Sequence, residues 1–188
     1  MKTRNFLTTA FFALTIFATT SILAQKEKTV TVGGAPMYPS KNIVENAVNS
    51  KDHTTLVAAV KAAGLVETLQ SKGPFTVFAP TNAPFDKLPK GTVETLLKPE
   101  NLKLLQTILT YHVVAGKMSS ADIVKAIKAG MGKATLKTVS GGTLTAWMKG
   151  SNVYLTDENG NSAKVTIADV NQSNGVIHVI DAVVTPKS

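Results

Sequence analysis

The sequence contains no cysteine and, among its 188 residues, only one arginine and one tryptophan. Without cysteine the chain forms no disulfide, thiolate zinc site, iron–sulfur cluster or covalent haem link, and it has no cysteine nucleophile. The single arginine is Arg4, so the remaining basic charge is lysine. Because specific phosphate and base recognition favours the planar guanidinium of arginine, this composition predicts a lysine-rich surface without a specific nucleic-acid site.

Recognisable catalytic motifs are also missing. The sequence has no H-E-x-x-H, G-x-S-x-G, S-x-x-K or complete phosphate-binding loop. Its three histidines, His53, His112 and His178, are not paired at metal-ligand spacing, and each is interpreted as a hydrogen-bonded structural residue. We therefore predict a protein that is not an enzyme and that uses no metal or cofactor.

Two other functions remain open at this stage. The twelve carboxylates could include a glycosidase pair, as in a small secreted hydrolase acting on polysaccharide, although Asp157 and Glu158 are expected to be solvated at a hairpin tip. Hydrophobic residues make up 44% of the chain. They predict a globular core, and they would equally suit a carrier of a small apolar ligand.

The first 24 residues are predicted to be a secretory signal peptide. Lys2 and Arg4 precede an uncharged stretch over residues 6–23, and Ala24 precedes a polar segment. The alternative is an uncleaved membrane anchor, which the six Thr and Ser residues of the stretch disfavour. Cleavage after Ala24 lowers the net charge from +8 to +6. It leaves no segment able to span a membrane, and it predicts a secreted, periplasmic or cell-surface location.

The rest of the chain is predicted to be an arm followed by one folded domain. Residues 25–40 contain two adjacent glycines and two prolines, which indicates a linker or loosely packed arm, and residues 41–188 form the domain. Asn42 with Glu45, and Ser119 with Asp122, have the spacing of capping boxes and predict two helix starts. A further helix, capped by Asp52, is expected to end at Gly64.

Periodicity places helices mainly in the first half of the domain and strands in the second. Further helices are predicted over 65–69, 82–88, 92–97, 99–109 and 121–129, and strands over 75–79, 111–115, 134–138, 143–148, 153–156, 163–168 and 176–184. This order indicates the α+β class. The last strand is apolar on both faces except at His178 and Asp181, so it is predicted to be central and covered on both sides.

Three segments carry most of the specific information. They are Gly73–Phe85, Tyr111–Val114 and Asn174–Pro186. In the first, Pro80 ends an apolar strand, and Thr81 or Asn82 is predicted to cap the following helix. Phe75, Phe78 and Phe85 are predicted to cover the core. In the last, Asn174 and Gly175 predict a tight turn before the central strand. The residues predicted to specify the fold are Thr76, Phe78, Pro80, Thr81, Asn82, Phe85, Asn174, Gly175, His178 and Asp181.

The order and spacing of these segments resemble the FAS1 (fasciclin-like) domain family over residues 40–187. The resemblance implies a FAS1-type fold, in which helices pack on a wedge or sandwich of short strands, and it implies that His112 is hydrogen-bonded beside the core. FAS1 domains occur in secreted or surface-held proteins and are associated with adhesion. In some animal members, a Tyr-His segment and an Asp-Ile pair are implicated in integrin binding. The matching residues are Tyr111, His112, Asp169 and Val170, with valine in place of isoleucine.

From this resemblance we predict a secreted, non-enzymatic module for cell adhesion or extracellular-matrix interaction. The expected partner is a cell-surface or matrix protein or an anionic polysaccharide. Self-association is a further expectation, because one site cannot bridge two surfaces.

Overall fold

The computed structural model describes residues 27–88 and 90–187, and the predicted signal peptide lies outside these residues. Within them, two short 3₁₀ turns cover Lys51–His53 and Pro99–Asn101. The α-helices are α1 (Ile43–Ala47), α2 (Thr54–Ala62), α3 (Val66–Gln70), α4 (Asn82–Asp86), α5 (Thr92–Leu96), α6 (Leu102–Tyr111) and α7 (Ser120–Ala129).

The strands lie mostly in the second half of the chain. They are β1 (Val30–Val32), β2 (Ala35–Met37), β3 (Phe75–Pro80), β4 (Val113–Ala115), β5 (Lys133–Lys137), β6 (Thr143–Lys149), β7 (Asn152–Thr156), β8 (Ser162–Gln172) and β9 (Gly175–Ile180). Helices α1 to α6 precede β4, and strands β5 to β9 follow α7. The predicted α+β class is confirmed.

Seven strands form one sheet in the order β4-β3-β9-β8-β7-β6-β5. Strands β3 and β9 are parallel, and the other neighbours are antiparallel. A bridge between Val114 and Thr138 connects the two edges of the sheet, which is therefore nearly closed into a wedge. All six residues of β9 are buried, which confirms that this strand is central and covered on both sides.

Two apolar clusters lie on either side of the central strands. One contains Val77 and Ile177 and is covered by the first helices of the chain. The other contains Phe78 and Ile180 and lies between the sheet and α7, whose Ile123 is 1% exposed. Alternation along β3 divides its side chains between the two clusters, because successive strand residues point to opposite faces.

Both predicted capping boxes are present. The Asn42 side chain accepts from the Glu45 N–H at 2.9 Å while the Glu45 carboxylate accepts from the Asn42 N–H at 2.8 Å. Ser119 and Asp122 make the same reciprocal pair at the start of α7. Each box satisfies two backbone donors that the first helical turn leaves free.

Some local predictions differ from the structure. Part of the predicted arm forms the β1–β2 hairpin, and its Val32 and Met37 are at most 4% exposed because they complete the first apolar cluster. Tyr111 ends α6 and does not begin a strand. The last strand stops at Ile180, before Asp181. In the first two cases tertiary packing outweighs local propensity.

Candidate functional site

The three sequence segments meet in the middle of the sheet. Strand β3 comes from the first segment, β4 from the second and β9 from the third, and β3 lies between the other two. Phe75 is opposite Ala115 on one side and Gly175 on the other. Residues that are far apart in the sequence therefore form one continuous block, whose polar side chains are the candidate functional groups.

Asn174 ties two helices to the sheet. Its side-chain oxygen accepts from the Ile43 N–H at 3.0 Å, at the start of α1, and its amide donates to the carbonyls of Leu69 and Ser71 at 2.7 and 2.8 Å. The next residue, Gly175, has no room for a Cβ atom because the carbonyl oxygen of Phe75 occupies that space. The predicted turn residues thus also fix the packing of helices α1 and α3.

Thr76 and His178 hold the loop between β4 and α7. The Thr76 hydroxyl donates to the Gly116 carbonyl at 2.7 Å and accepts from the Met118 N–H at 2.9 Å. The Nε2–H of His178 donates to the Met118 carbonyl at 2.9 Å, and its Nδ1 accepts from the Asp169 N–H at 3.3 Å. Both side chains are fully buried, and burial lowers the pKa of His178, so its ring is neutral.

The predicted cap of α4 is replaced by a different contact. Thr81 occupies the N-cap position but makes no side-chain capping bond. The Asn82 side chain instead accepts from the Thr55 N–H at 3.1 Å, in the first turn of α2, and donates to the Lys51 carbonyl at 2.8 Å. Asn82 therefore caps a helix that begins 28 residues earlier, and Asp52 is not the cap of α2.

Tyr111 joins two hairpins to the core. Its hydroxyl donates to the Thr143 carbonyl at 2.6 Å and accepts from the Glu158 N–H at 3.2 Å. The side chain is 0% exposed, and burial raises the pKa of its phenol to about 12. Gly142 makes room for the ring, since a Cβ atom there would lie 2.7 Å from Tyr111 Cε2.

His112 is a neutral histidine that is hydrogen-bonded beside the core, as the family resemblance implies. Its Nδ1–H donates to the Ile108 carbonyl at 2.8 Å, and its Nε2 accepts from the Val184 N–H at 3.3 Å. Burial lowers the pKa of His112 to about 4, although the Ile108 carbonyl and the charge of Asp157 oppose this effect. The ring fastens the C-terminal segment to α6.

Asp169 is half-buried and Val170 is buried in the same stretch of β8. Asp169 has a positive φ of 58° at an irregularity in β8, and its carboxylate accepts from both the N–H and the hydroxyl of Ser120, at the start of α7. Val170 is 1% exposed. Tyr111, His112 and Val170 therefore lie in the interior, whereas Asp169 is partly exposed and its carboxylate is hydrogen-bonded to Ser120.

The remaining predicted residues also have structural positions. Phe78 is 0% exposed and stacks on the His178 ring at a centroid distance of 5.7 Å. Pro80 is buried at the end of β3, opposite Ile180. Phe85 was predicted to cover the core, but it is only half-buried and lies outside both apolar clusters. The Asp181 carboxylate accepts from the Lys164 N–H at 2.7 Å, which connects the end of β9 to β8.

Sequence reasoning missed one structural carboxylate. Asp157 is 5% exposed, whereas a solvated hairpin tip was predicted. Its oxygens accept from the N–H groups of Asn159, Asn161 and Thr185 at 2.8 to 3.0 Å. The Asp-x-Asn-Gly pattern is an Asx-turn signal that indicates the local bonds, but the bond to Thr185 depends on the tertiary fold.

The described residues contain no group of three or more histidines and carboxylates placed to hold a metal ion. The two best-formed concave sites among these residues are not lined by a carboxylate. The hydrolase alternative requires two carboxylates facing a cleft, so neither concave site supports it.

The more enclosed of these sites is an apolar cavity of about 90 Å³ between the first helices and the sheet. Its wall includes Val60, Val77 and Ile177. His53 also lines it and is 4% exposed, with Nδ1 at 2.9 Å from the Ser50 hydroxyl and Nε2 without a hydrogen-bond partner among the described residues. Burial lowers the pKa of His53, although the Ala79 backbone partly opposes this.

None of the helices in the described ranges is both long enough and apolar enough to cross a bilayer.

Comparison with known proteins gives the family and the fold. The chain is 47% identical to protein sll1483 of Synechocystis sp. over 183 residues, which cover 94% of each chain. It is 35% identical to the cell surface glycolipoprotein MPB83 of Mycobacterium bovis over 145 residues, which cover 74% of this chain and 58% of the relative.

A solved structure has the same fold. A FAS1 domain pair from the insect cell adhesion molecule Fasciclin I matches with a TM-score of 0.68 at 18% identity, covering 83% of this chain and 57% of that one. The Fasciclin domain model matches residues 51–186. The resemblance carried by the three sequence segments is therefore confirmed, and this chain belongs to the Fasciclin domain family.

Proposed function

We propose that this protein is an extracellular, non-enzymatic binding module for cell adhesion or extracellular-matrix interaction. The observation that carries the proposal concerns the hydrogen bonds made by polar residues of the three sequence segments. The side chains of Asn174, Thr76 and His178 form hydrogen bonds with backbone groups in the interior. Since these groups are unavailable for chemistry on a substrate, recognition falls to the outer surface of the domain.

Two comparisons support an extracellular setting. One relative is a cell surface glycolipoprotein, and the matching fold belongs to a cell adhesion molecule. The predicted signal peptide agrees with this location. The proposed partners are a cell-surface or matrix protein or an anionic polysaccharide.

A bead assay tests this function directly. Beads coated with the purified protein should retain intact cells, or extracellular material, of the producing organism at physiological salt. Excess free protein should release them, whereas free serum albumin should not. Equal retention by albumin-coated beads would contradict the proposal.

Bridging between two surfaces requires a second site or self-association. We propose self-association, which light scattering over a range of protein concentrations tests. A dimer that persists at high salt is the expected result. A monomer at every concentration would contradict self-association and would require a second binding site on the same domain.

A second candidate function is the carriage of a small apolar ligand in the cavity beside His53. The cavity of about 90 Å³ compares with about 30 Å³ for one water in the liquid and ~150 Å³ for a cavity that binds benzene. It therefore suits the end of a short chain, and a ligand hydroxyl could satisfy His53 Nε2. An NMR titration with 1-butanol should shift the His53 ring signals, and unchanged signals would contradict this function.

A further inference from the structure

One broad polar surface of the sheet faces away from the second apolar cluster. The inward side chains of β5 to β7 and of residues 163–165 in β8, such as Leu144 and Leu155, belong to the second apolar cluster. The outward side chains of β5 to β7 and of residues 162–164 in β8 define the outer face, and none of them is buried. The outer face consists of Lys133, Thr135, Lys137, Thr143, Thr145, Trp147, Lys149, Asn152, Tyr154, Thr156, Ser162 and Lys164.

A row across the four strands places positive charge on both sides of an aromatic pair. Lys133 is opposite Trp147, Trp147 is opposite Tyr154, and Tyr154 is opposite Lys164. The two rings stack at a centroid distance of 4.8 Å. Because adjacent strands are about 4.8 Å apart, the two lysine backbones are separated by about 14 Å.

The neighbouring row consists of hydroxyl groups. Thr135, Thr145, Thr156 and Ser162 are opposite one another on the same four strands. Within this row the Thr156 hydroxyl accepts from Trp147 Nε1 at 2.9 Å and lies 2.8 Å from the Ser162 hydroxyl. Hydroxyl donors and acceptors are thus arranged in a line beside the lysine and aromatic row.

The charge of the outer face favours an anionic partner. Its twelve side chains include four lysines and no carboxylate. Glu158 and Asp181 lie at its margins, where they accept from the backbone N–H groups of Thr143 and Lys164 at 3.0 and 2.7 Å. A surface of one sign attracts polymers of the opposite sign.

We propose that the outer face binds an anionic polysaccharide. The lysines contact its carboxylate or sulfate groups, and the hydroxyl row bonds to its sugar hydroxyls. This inference rests on the proposed binding function and names the surface and the class of partner.

The same features disfavour other anionic partners. The Trp147–Tyr154 stack covers one face of each ring, which reduces the aromatic surface available for stacking successive bases of a single-stranded nucleic acid. The outer face offers no aliphatic side chain to insert into a lipid bilayer. Its cations are all lysine, which lacks the planar fork used to read bases.

A binding assay on immobilised alginate and dextran sulfate tests the proposal. The protein is purified after expression of the full 188-residue chain. The test variant carries Lys133→Gln, Lys137→Gln and Lys149→Gln. The matched control removes equal charge from exposed lysines elsewhere and carries Lys61→Gln, Lys72→Gln and Lys103→Gln. Thermal melts identify the variants that are folded. A second test variant, Thr135→Glu, places a negative charge on the outer face without removing a lysine.

We expect wild-type protein to bind at least one of the two anionic polymers, with an affinity that falls as salt rises, and not to bind neutral dextran. The triple test variant should bind about tenfold more weakly, and the control within about twofold of wild type. Thr135→Glu should also weaken binding. Equal losses in test and control variants, stronger binding to duplex DNA, or no binding to either anionic polymer would overturn the proposal.

The bead assay separates this inference from the proposed function. If the triple test variant still retains cells as wild type does, the outer face is not the adhesion surface although the binding function stands. If wild type binds alginate through the outer face but retains no cells, the polysaccharide site stands and adhesion fails.

Discussion

The imidazole of His112 accepts the backbone N–H of Val184 at 3.3 Å, across 72 residues of sequence. Its other nitrogen donates to the Ile108 carbonyl at 2.8 Å. A carbonyl only accepts and an N–H only donates, so these two partners require the neutral ring with its proton on Nδ1. Protonation of Nε2 would place two N–H groups against each other and release the C-terminal segment.

This relationship predicts acid sensitivity. The pKa of His112 is about 4 in the folded protein and about 6.5 in an unfolded chain. The unfolded state therefore binds a proton first as the pH falls. The contribution is complete above about pH 6.5 and is lost between about pH 6.5 and pH 4, by about 3 kcal/mol. Urea unfolding at several pH values should show the loss, and an NMR titration midpoint for His112 near 6.5 would contradict it.

Replacement of Asn174 with alanine should destabilise the domain by about 3 kcal/mol. The Ile43 N–H and the carbonyls of Leu69 and Ser71 would lose their partner in a site that is 6% exposed, and buried unpaired groups are costly. Chemical denaturation measures the change. The control is Asn171→Ala, because Asn171 is exposed and donates only to the nearby Asp169 carbonyl. Similar losses in both variants would refute the role of Asn174.

Gly175→Ala should cost more than about 3 kcal/mol, because an added methyl group meets the Phe75 carbonyl on the paired strand. Gly64→Ala is the comparison. Gly64 has open space around it but a φ of 69°, so alanine there adds only backbone strain of about 1 kcal/mol. The two variants are compared by yield of folded protein and by urea unfolding. A Gly175→Ala variant as stable as Gly64→Ala would show that β3 and β9 can separate at little cost.

Tyr111→Phe should lower the free energy of unfolding by about 1–2 kcal/mol, since the Thr143 carbonyl and the Glu158 N–H both lose a partner. In an ultraviolet titration, the variant should also lack the phenol that ionises at about pH 12. Tyr154→Phe is the matched control at a half-buried position on the outer face. If it destabilises the protein as much as Tyr111→Phe, the Tyr111 hydroxyl does not have the proposed role.

Local patterns in the sequence predicted much of the architecture. The two capping boxes located the starts of α1 and α7, because their contacts join residues only three apart. The continuous apolar run around Ile177 predicted a strand buried on both faces, because such a run is recognised from the residue types alone. Three short segments were specific enough to predict the family.

The tertiary structure decided which partners the polar side chains have. Thr81 or Asn82 was predicted to cap α4, but the Asn82 side chain caps α2. Asp157 was predicted to be solvated, but its carboxylate accepts from the Thr185 N–H. The order of strands also brought Lys133 and Lys164 into one row across the sheet. These contacts depend on how helices, turns and strands pack in three dimensions, which no local pattern encodes. The sequence therefore determined the elements, the fold class and the family, and tertiary packing decided which side chains are buried in the network and which face outward to a partner.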